Sequence, residues 1–233
     1  MNIIDFALIL IVLISTVFAI YRGFLASLLG TLACAVSLVV ALAAGPRLSQ
    51  ALAGNQGLTS MLSTYTDAES LIGDYDLANT VVLGIGSETI ENILRSVSLP
   101  EVVQNVLRQN MQTQAFQDQQ LYTINDYVST TIVTVTLNTL CFLLCYFLCF
   151  LALHMLINLI SHVFYFPVLR HLEGVCAAVM GVIRGGITVY VLLAILPMVR
   201  TVVPFELVTQ YIDGSQLIPL LYSEKLVLRI LVG

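Results

Sequence analysis

The residues best suited to do chemistry in this chain lie inside long apolar runs. Arg184 is the only charge in residues 174–199, GVCAAVMGVIRGGITVYVLLAILPMV. A guanidinium so placed has two readings. It can snorkel to the membrane surface along its own stem, or sit deep, line a cavity and select an anion. Asn138, the Thr134 hydroxyl and backbone carbonyls are its available partners, since no acid falls in the middle of an apolar run. Cys141, Cys145 and Cys149 recur at four-residue spacing, where neighbouring members could share a soft metal. The outer two lie about 12 Å apart along a helix, too far for one ion. Buried cysteine ordinarily packs as a small hydrophobe, so no metal site is read here. His154, Asn158 and His162 form a polar stripe at the same spacing. A proton relay is conceivable, and hydrogen bonding between helices is the ordinary explanation. Asp5 stands where a carboxylate caps a helix N-terminus.

Catalytic signatures are missing. The sequence has no HExxH helix, no GxSxG elbow and no GxxxxGK[ST] loop. Gly84-Ile85-Gly86-Ser87 lacks the downstream glycine of a dinucleotide fingerprint, and Asp74-Tyr75-Asp76 lacks the remaining ligands of a calcium loop. The expectation is a protein that is not an enzyme, with no catalytic residue, no cofactor and no metal.

Composition sets the frame for these residues. Of 233 residues 58% are hydrophobic and 10% charged, with mean hydropathy +0.95. Soluble domains carry about a quarter charged residues, so this is an integral membrane protein. A net charge of −5 argues against nucleic acid as a partner. All five cysteines fall in apolar runs, which excludes a disulfide framework or zinc-ribbon spacing. The first apolar run is long and lacks a basic leader, so no cleavable signal is expected.

Four runs are long enough to cross a bilayer, which takes about twenty residues. The first covers residues 3–20 and ends at Arg22; the second covers 24–44, where Gly45-Pro46 is expected to stop the helix. Residues 47–127 are a different material, with nine acids against three arginines. Short helices are expected there, capped at Thr66-Asp67-Ala68-Glu69, started at Ser87, and begun at Pro100 with Val102, Val103, Val106, Leu107 and Met111 on one face. No charge occurs for 43 positions between Asp126 and Arg170. That excess over one bilayer predicts a long helix entering near Val128 and continuing past the far interface. The fourth span returns to Arg200, and residues 219–232 read as an interfacial helix.

The fold expected is therefore all-α: four transmembrane helices, a long, mostly helical extracytoplasmic loop and a C-terminal interfacial helix. Residues 1–44 and 128–200 are the two hairpins, 45–127 the polar insertion, partly disordered or a cap, and 201–233 an amphipathic tail. Because Arg22 follows the first span and no Lys or Arg precedes it, the positive-inside tendency puts both termini outside. Small residues recur along the spans: Ala7, Ser15, Ala19 and Gly23; Ala26, Gly30 and Cys34; Gly174, Ala178, Gly181 and Gly185. Such ridges let backbones approach closely, which marks Gly23, Gly30, Gly174, Gly181 and Gly185 as packing positions. The fourth-span ridge is expected to face Thr134, Asn138, Cys141, Cys145, Cys149 and Ala152 of the third.

Three places together resemble the colicin V production protein family of bacterial inner-membrane proteins. They are Ile4-Asp5 with Arg22-Gly23-Phe24, the segment from Leu169-Arg170 through Gly174, Gly181, Arg184 and Gly185, and Ser215-Gln216-Leu217-Ile218-Pro219. The insertion departs from the compact pattern, and Arg170-His171 stands where an Asn-Arg pair is common. The resemblance implies a four-span plasma-membrane protein tied to colicin production and cell-envelope processes, with no established catalytic activity. It directs attention to Asp5, Arg22, Arg170 and Arg184. The partners expected are the lipid bilayer and a second copy or other membrane proteins, through helix-face contacts. The alternative is a small oligomeric channel or transporter subunit with Arg184 as its anion-selective group.

Overall fold

The computed structural model describes residues 2–64, 71–161, 173–202, 206–222 and 224–232. It is helical, with no strand among the described residues and one isolated antiparallel bridge, Val81 to Thr123. The helices are α1 (Ile3–Arg22), α2 (Phe24–Ala53), α3 (Gln56–Thr64), α4 (Tyr75–Ala78), α5 (Ser87–Ser96), α6 (Glu101–Gln112), α7 (Ile124–Ser161), α8 (Glu173–Leu193), α9 (Leu196–Val202), α10 (Glu206–Asp213), α11 (Leu217–Leu221) and α12 (Glu224–Val232). Four segments are long and apolar enough to cross a membrane: Ile3–Arg22, Phe24–Ala53, Ile124–Leu159 and Glu173–Thr201. Four crossings return a chain to the side on which it began.

Two compact units emerge, one made of Met1–Gly45, Cys141–Ile195 and Glu206–Ser223, the other of Pro46–Leu140, Leu196–Phe205 and Glu224–Gly233. In the first unit the helices turn large apolar side chains outward, among them Phe6, Leu13, Val17, Phe147, Leu148 and Met155. So much exposed apolar surface needs a bilayer to cover it. The parts of α2 and α7 in this unit, residues 24–45 and 141–161, each have the length of one crossing.

One expectation changes here. Gly45-Pro46 does not end α2, which runs on to Ala53 with Pro46 inside it. Pro46 lacks the N–H of one helical hydrogen bond, yet the helix continues. Gly45 has a separate reason to be glycine: a Cβ there would lie 3.2 Å from Phe142 Cα, so it marks a close backbone crossing with α7. The surroundings of α7 change along its length: Ile124, Val128, Ile132 and Val135 are fully buried within the second unit, whereas Leu144, Phe147, Leu148 and Leu151 are exposed.

The second unit has its own core. Ile90, Ile93 and Leu94 of α5 meet Val103, Val106 and Leu107 of α6, all buried. These residues sit three and four apart, the spacing of one helical face. Phe116 and Tyr127 pack ring to ring at 5.2 Å, and Arg108 forms a forked ion pair with Glu91 at 2.7 Å. The insertion is thus folded over its described residues; the Thr66–Glu69 capping box lies outside them. The apolar face of α12, read from sequence as interfacial, is taken up by protein instead. Val227, Ile230 and Leu231 are buried, α12 lies on α6, and Asn138 Nδ2 donates to the Leu231 carbonyl at 2.6 Å.

Candidate functional site

The first unit gathers its polar side chains around one seam, between α1 and α8, which are in extensive contact. Gly181 and Gly185 form the floor of that seam. A Cβ on Gly181 would lie 2.6 Å from Thr16 Cα and 2.7 Å from Ala19 Cβ; one on Gly185 would lie 2.9 Å from Val12 Cα. Only bare backbone fits. Ser15 Oγ donates to the Gly181 carbonyl at 2.9 Å across this contact, and Thr31 of α2 donates to the Met180 carbonyl at 3.0 Å. The glycine ridge therefore closes on α1, not on the cysteine stripe of the third span. Ser15 and Ala19 are small as well, so two flat ridges meet and the interhelical distance is short.

Arg184 leaves α8 beside this floor. Its Nε donates to Ser15 Oγ at 3.3 Å and its Nη2 to the Ser15 carbonyl at 3.4 Å. The Phe18 ring lies 5.5 Å from its guanidinium carbon. Gly30 of α2 faces the same group, since a Cβ there would stand 3.3 Å from Nη1. The side chain is half-buried and points toward the Arg22 end of α1. Ser15 and Phe18 are seven and four residues before Arg22, which at 1.5 Å per residue places the guanidinium about 6–10 Å from that helix end. The guanidinium is thus directed toward the Arg22 end of α1 and lies between the levels of Ser15 and Phe18. Arg22 itself is exposed, with its guanidinium carbon 4.5 Å from the centroid of the same Phe18 ring.

Asp5 builds a second cluster. It is fully buried, and its carboxylate accepts from Asn2 N at 2.9 Å, which closes a capping box at the start of α1. The same carboxylate accepts from Ser215 Oγ, from Gln216 N at 3.3 Å and from Leu217 N at 3.1 Å. Ser215 Oγ in turn accepts from Ile218 N at 3.1 Å, and Asn2 Nδ2 donates to the Tyr211 carbonyl at 2.6 Å. One acid thus satisfies free N–H groups at the starts of two helices, α1 and α11. Two stretches singled out in the sequence, Ile4-Asp5 and Ser215 to Pro219, meet in this one knot.

The remaining residues separate. Gly23 ends α1 at φ +84°, a conformation suited to glycine, with its N–H donating to the Ala19 carbonyl at 3.1 Å; a Cβ there would stand 2.9 Å from Glu173 Oε1. Gly174 has nothing within 4 Å of its notional Cβ. Arg170 and His162 lie outside the described residues. Cys34 Sγ and the Tyr146 hydroxyl are 2.9 Å apart, joining α2 to α7. Cys141 is buried, and Cys145 and Cys149 are half-buried. His154 stacks on Phe150 at 5.6 Å. In the second unit a groove of about 590 Å³ is lined by Ser49, Gln50, Gln119, Thr134 and Asn138 among others, with no charged side chain among the described residues lining it. Sequence reasoning overlooked Phe18 and Ser15 as the groups that hold Arg184. The signal for Phe18 was its position four residues before Arg22, on the same helical face.

Residues 4–97 match the family model described as Colicin V production protein. This supports the assignment that the sequence motifs suggested, and the match reaches from α1 through α5, into the insertion. No characterised protein and no solved structure matches the chain.

Proposed function

We propose, from the match of residues 4–97 to the colicin V production protein family, that this four-span protein of the bacterial inner membrane serves colicin V production and envelope processes by contact rather than by catalysis. One observation carries the second half of that reading. The buried carboxylate of the spanning unit, Asp5, is engaged by four donors and holds two helix starts together, which is structural use of the group. The Gly181 and Gly185 part of the ridge is occupied by the chain's own α1, so contacts with a second copy or with other membrane proteins would use other surfaces. The positive-inside tendency supports both termini outside.

The test is complementation of a strain lacking the protein. Secreted colicin V should fall in that strain and return with a variant in which Cys141, Cys145, Cys149 and His154 are all alanine. Unchanged secretion in the deletion strain removes the toxin-production role. Failure of the quadruple variant, if it accumulates normally in the membrane, removes the non-catalytic one.

A further inference from the structure

The seam holds positive charge that the protein does not neutralise. The guanidinium carbons of Arg22 and Arg184 both approach one ring, Phe18, at 4.5 and 5.5 Å from its centroid, so they stand no farther apart than those two distances together. Among the described residues the ion pair is Arg108 with Glu91, in the other unit; neither Arg22 nor Arg184 has a carboxylate within 4.0 Å. Glu173 comes near, beside Gly23, without pairing. Arg184 makes two long hydrogen bonds, both to Ser15, and a guanidinium has five N–H groups to satisfy. Phe18 is 43% exposed on the outward, apolar face of α1, so the site opens sideways rather than into a closed pore. An unpaired charge in a span is costly, and Arg binds phosphate oxygens with paired, planar donors.

We propose that the Arg22–Phe18–Arg184 cleft binds the phosphate of an anionic phospholipid headgroup, drawn about one helical turn inward from the end of α1. Arg22 meets the headgroup at the interface, and Arg184 supplies the inner donors through the N–H groups left over from its two bonds to Ser15. Phe18 lies between them against the lipid chains. Gly30 makes room for Nη1 on the α2 side, where a Cβ would crowd it at 3.3 Å. This inference stands apart from the toxin-production reading and does not need it.

The test is lipid retention by the purified full chain, read by native mass spectrometry after exchange into micelles with equal phosphatidylglycerol and phosphatidylcholine. Wild type should keep phosphatidylglycerol preferentially. Arg184→Gln and Arg22→Gln should each lower that preference about tenfold, the loss of one charge-assisted contact, while Arg95→Gln leaves it unchanged. Arg22 is exposed, so its variant tests the site even where Arg184→Gln fails to fold. Millimolar inorganic phosphate should not displace the lipid; displacement would assign the cleft to a soluble anion and overturn the lipid proposal. Equal retention of the two lipids by wild type, or wild-type preference in Arg22→Gln, would also overturn it.

Discussion

Replacing Gly181 by alanine adds one methyl group at the tightest point of the α1–α8 seam. That carbon would stand 2.6 Å from Thr16 Cα, 2.7 Å from Ala19 Cβ and 3.0 Å from the Ser15 carbonyl oxygen. Two of these obstacles are backbone atoms, so no rotamer change relieves them. Ordinary carbon contacts need about 3.5–4.0 Å, and α1 must retreat by roughly the difference. Overpacking of this kind costs about 1–3 kcal/mol. Retreat also stretches the Ser15 to Gly181 hydrogen bond of 2.9 Å, worth about 0.6 kcal/mol inside a membrane. The alanine returns up to about 1 kcal/mol through better helix propensity. The net expectation is a loss of roughly 1–3 kcal/mol, which equilibrium unfolding in mixed micelles resolves. Gly186 is the internal control: it lies five residues on, on a different face of the same helix, with nothing within 4 Å of its notional Cβ, so Gly186→Ala should be neutral or slightly stabilising. Equal stabilities for the two variants would refute the reasoning.

Other expectations follow from the same geometry. Ser215→Ala removes a donor to the Asp5 carboxylate and the acceptor of Ile218 N, so hydrogen exchange should quicken at residues 216–218 while α8 stays protected. Leu107 is fully buried in the second unit; Leu107→Ala should destabilise that unit by about 2–5 kcal/mol, by calorimetry or denaturant titration. The Arg108–Glu91 pair is forked but partly exposed, at 34% and 45%. A double-mutant cycle should therefore give a coupling of about 1 kcal/mol or less that shrinks with added salt.

The four spans were legible because hydrophobic length alone decides a crossing. The glycine and serine spacings on α1 and α8 were legible too, but not their pairing. A small ridge in sequence says that some backbone comes close; only the fold says that Ser15 and Ala19 meet Gly181 rather than Cys141 or Cys145. The misreading of Gly45-Pro46 has the same origin, since the pair looks like punctuation until Phe142 is seen crossing at Gly45. In α7 a charge-free run cannot tell lipid from protein as its solvent. Val128 to Leu137 and Leu144 to Leu159 both lack a charged residue, though the first carries Ser129 and four threonines; Val128, Ile132 and Val135 are buried in the second unit, while Leu144, Leu148 and Leu159 face outward. Asp5 and Ser215 were each marked by the family resemblance, and their meeting across 210 positions was beyond any local pattern.

The central claim is that α1 and α8 of one chain clasp each other through bare backbone. Cysteines placed at positions 12 and 185, in a chain with its five native cysteines replaced, test it most directly. A Cβ built on Gly185 lies 3.4 Å from Val12 Cβ and 2.9 Å from Val12 Cα, so α1 must ease away by a few tenths of an ångström, which brings the two Cβ atoms to the separation a disulfide spans, about 3.5–4.5 Å. Mild oxidation should give a disulfide within a single chain, seen as a faster monomer band that reverts on reduction. Disulfides formed only between chains, or none at all, would contradict the account.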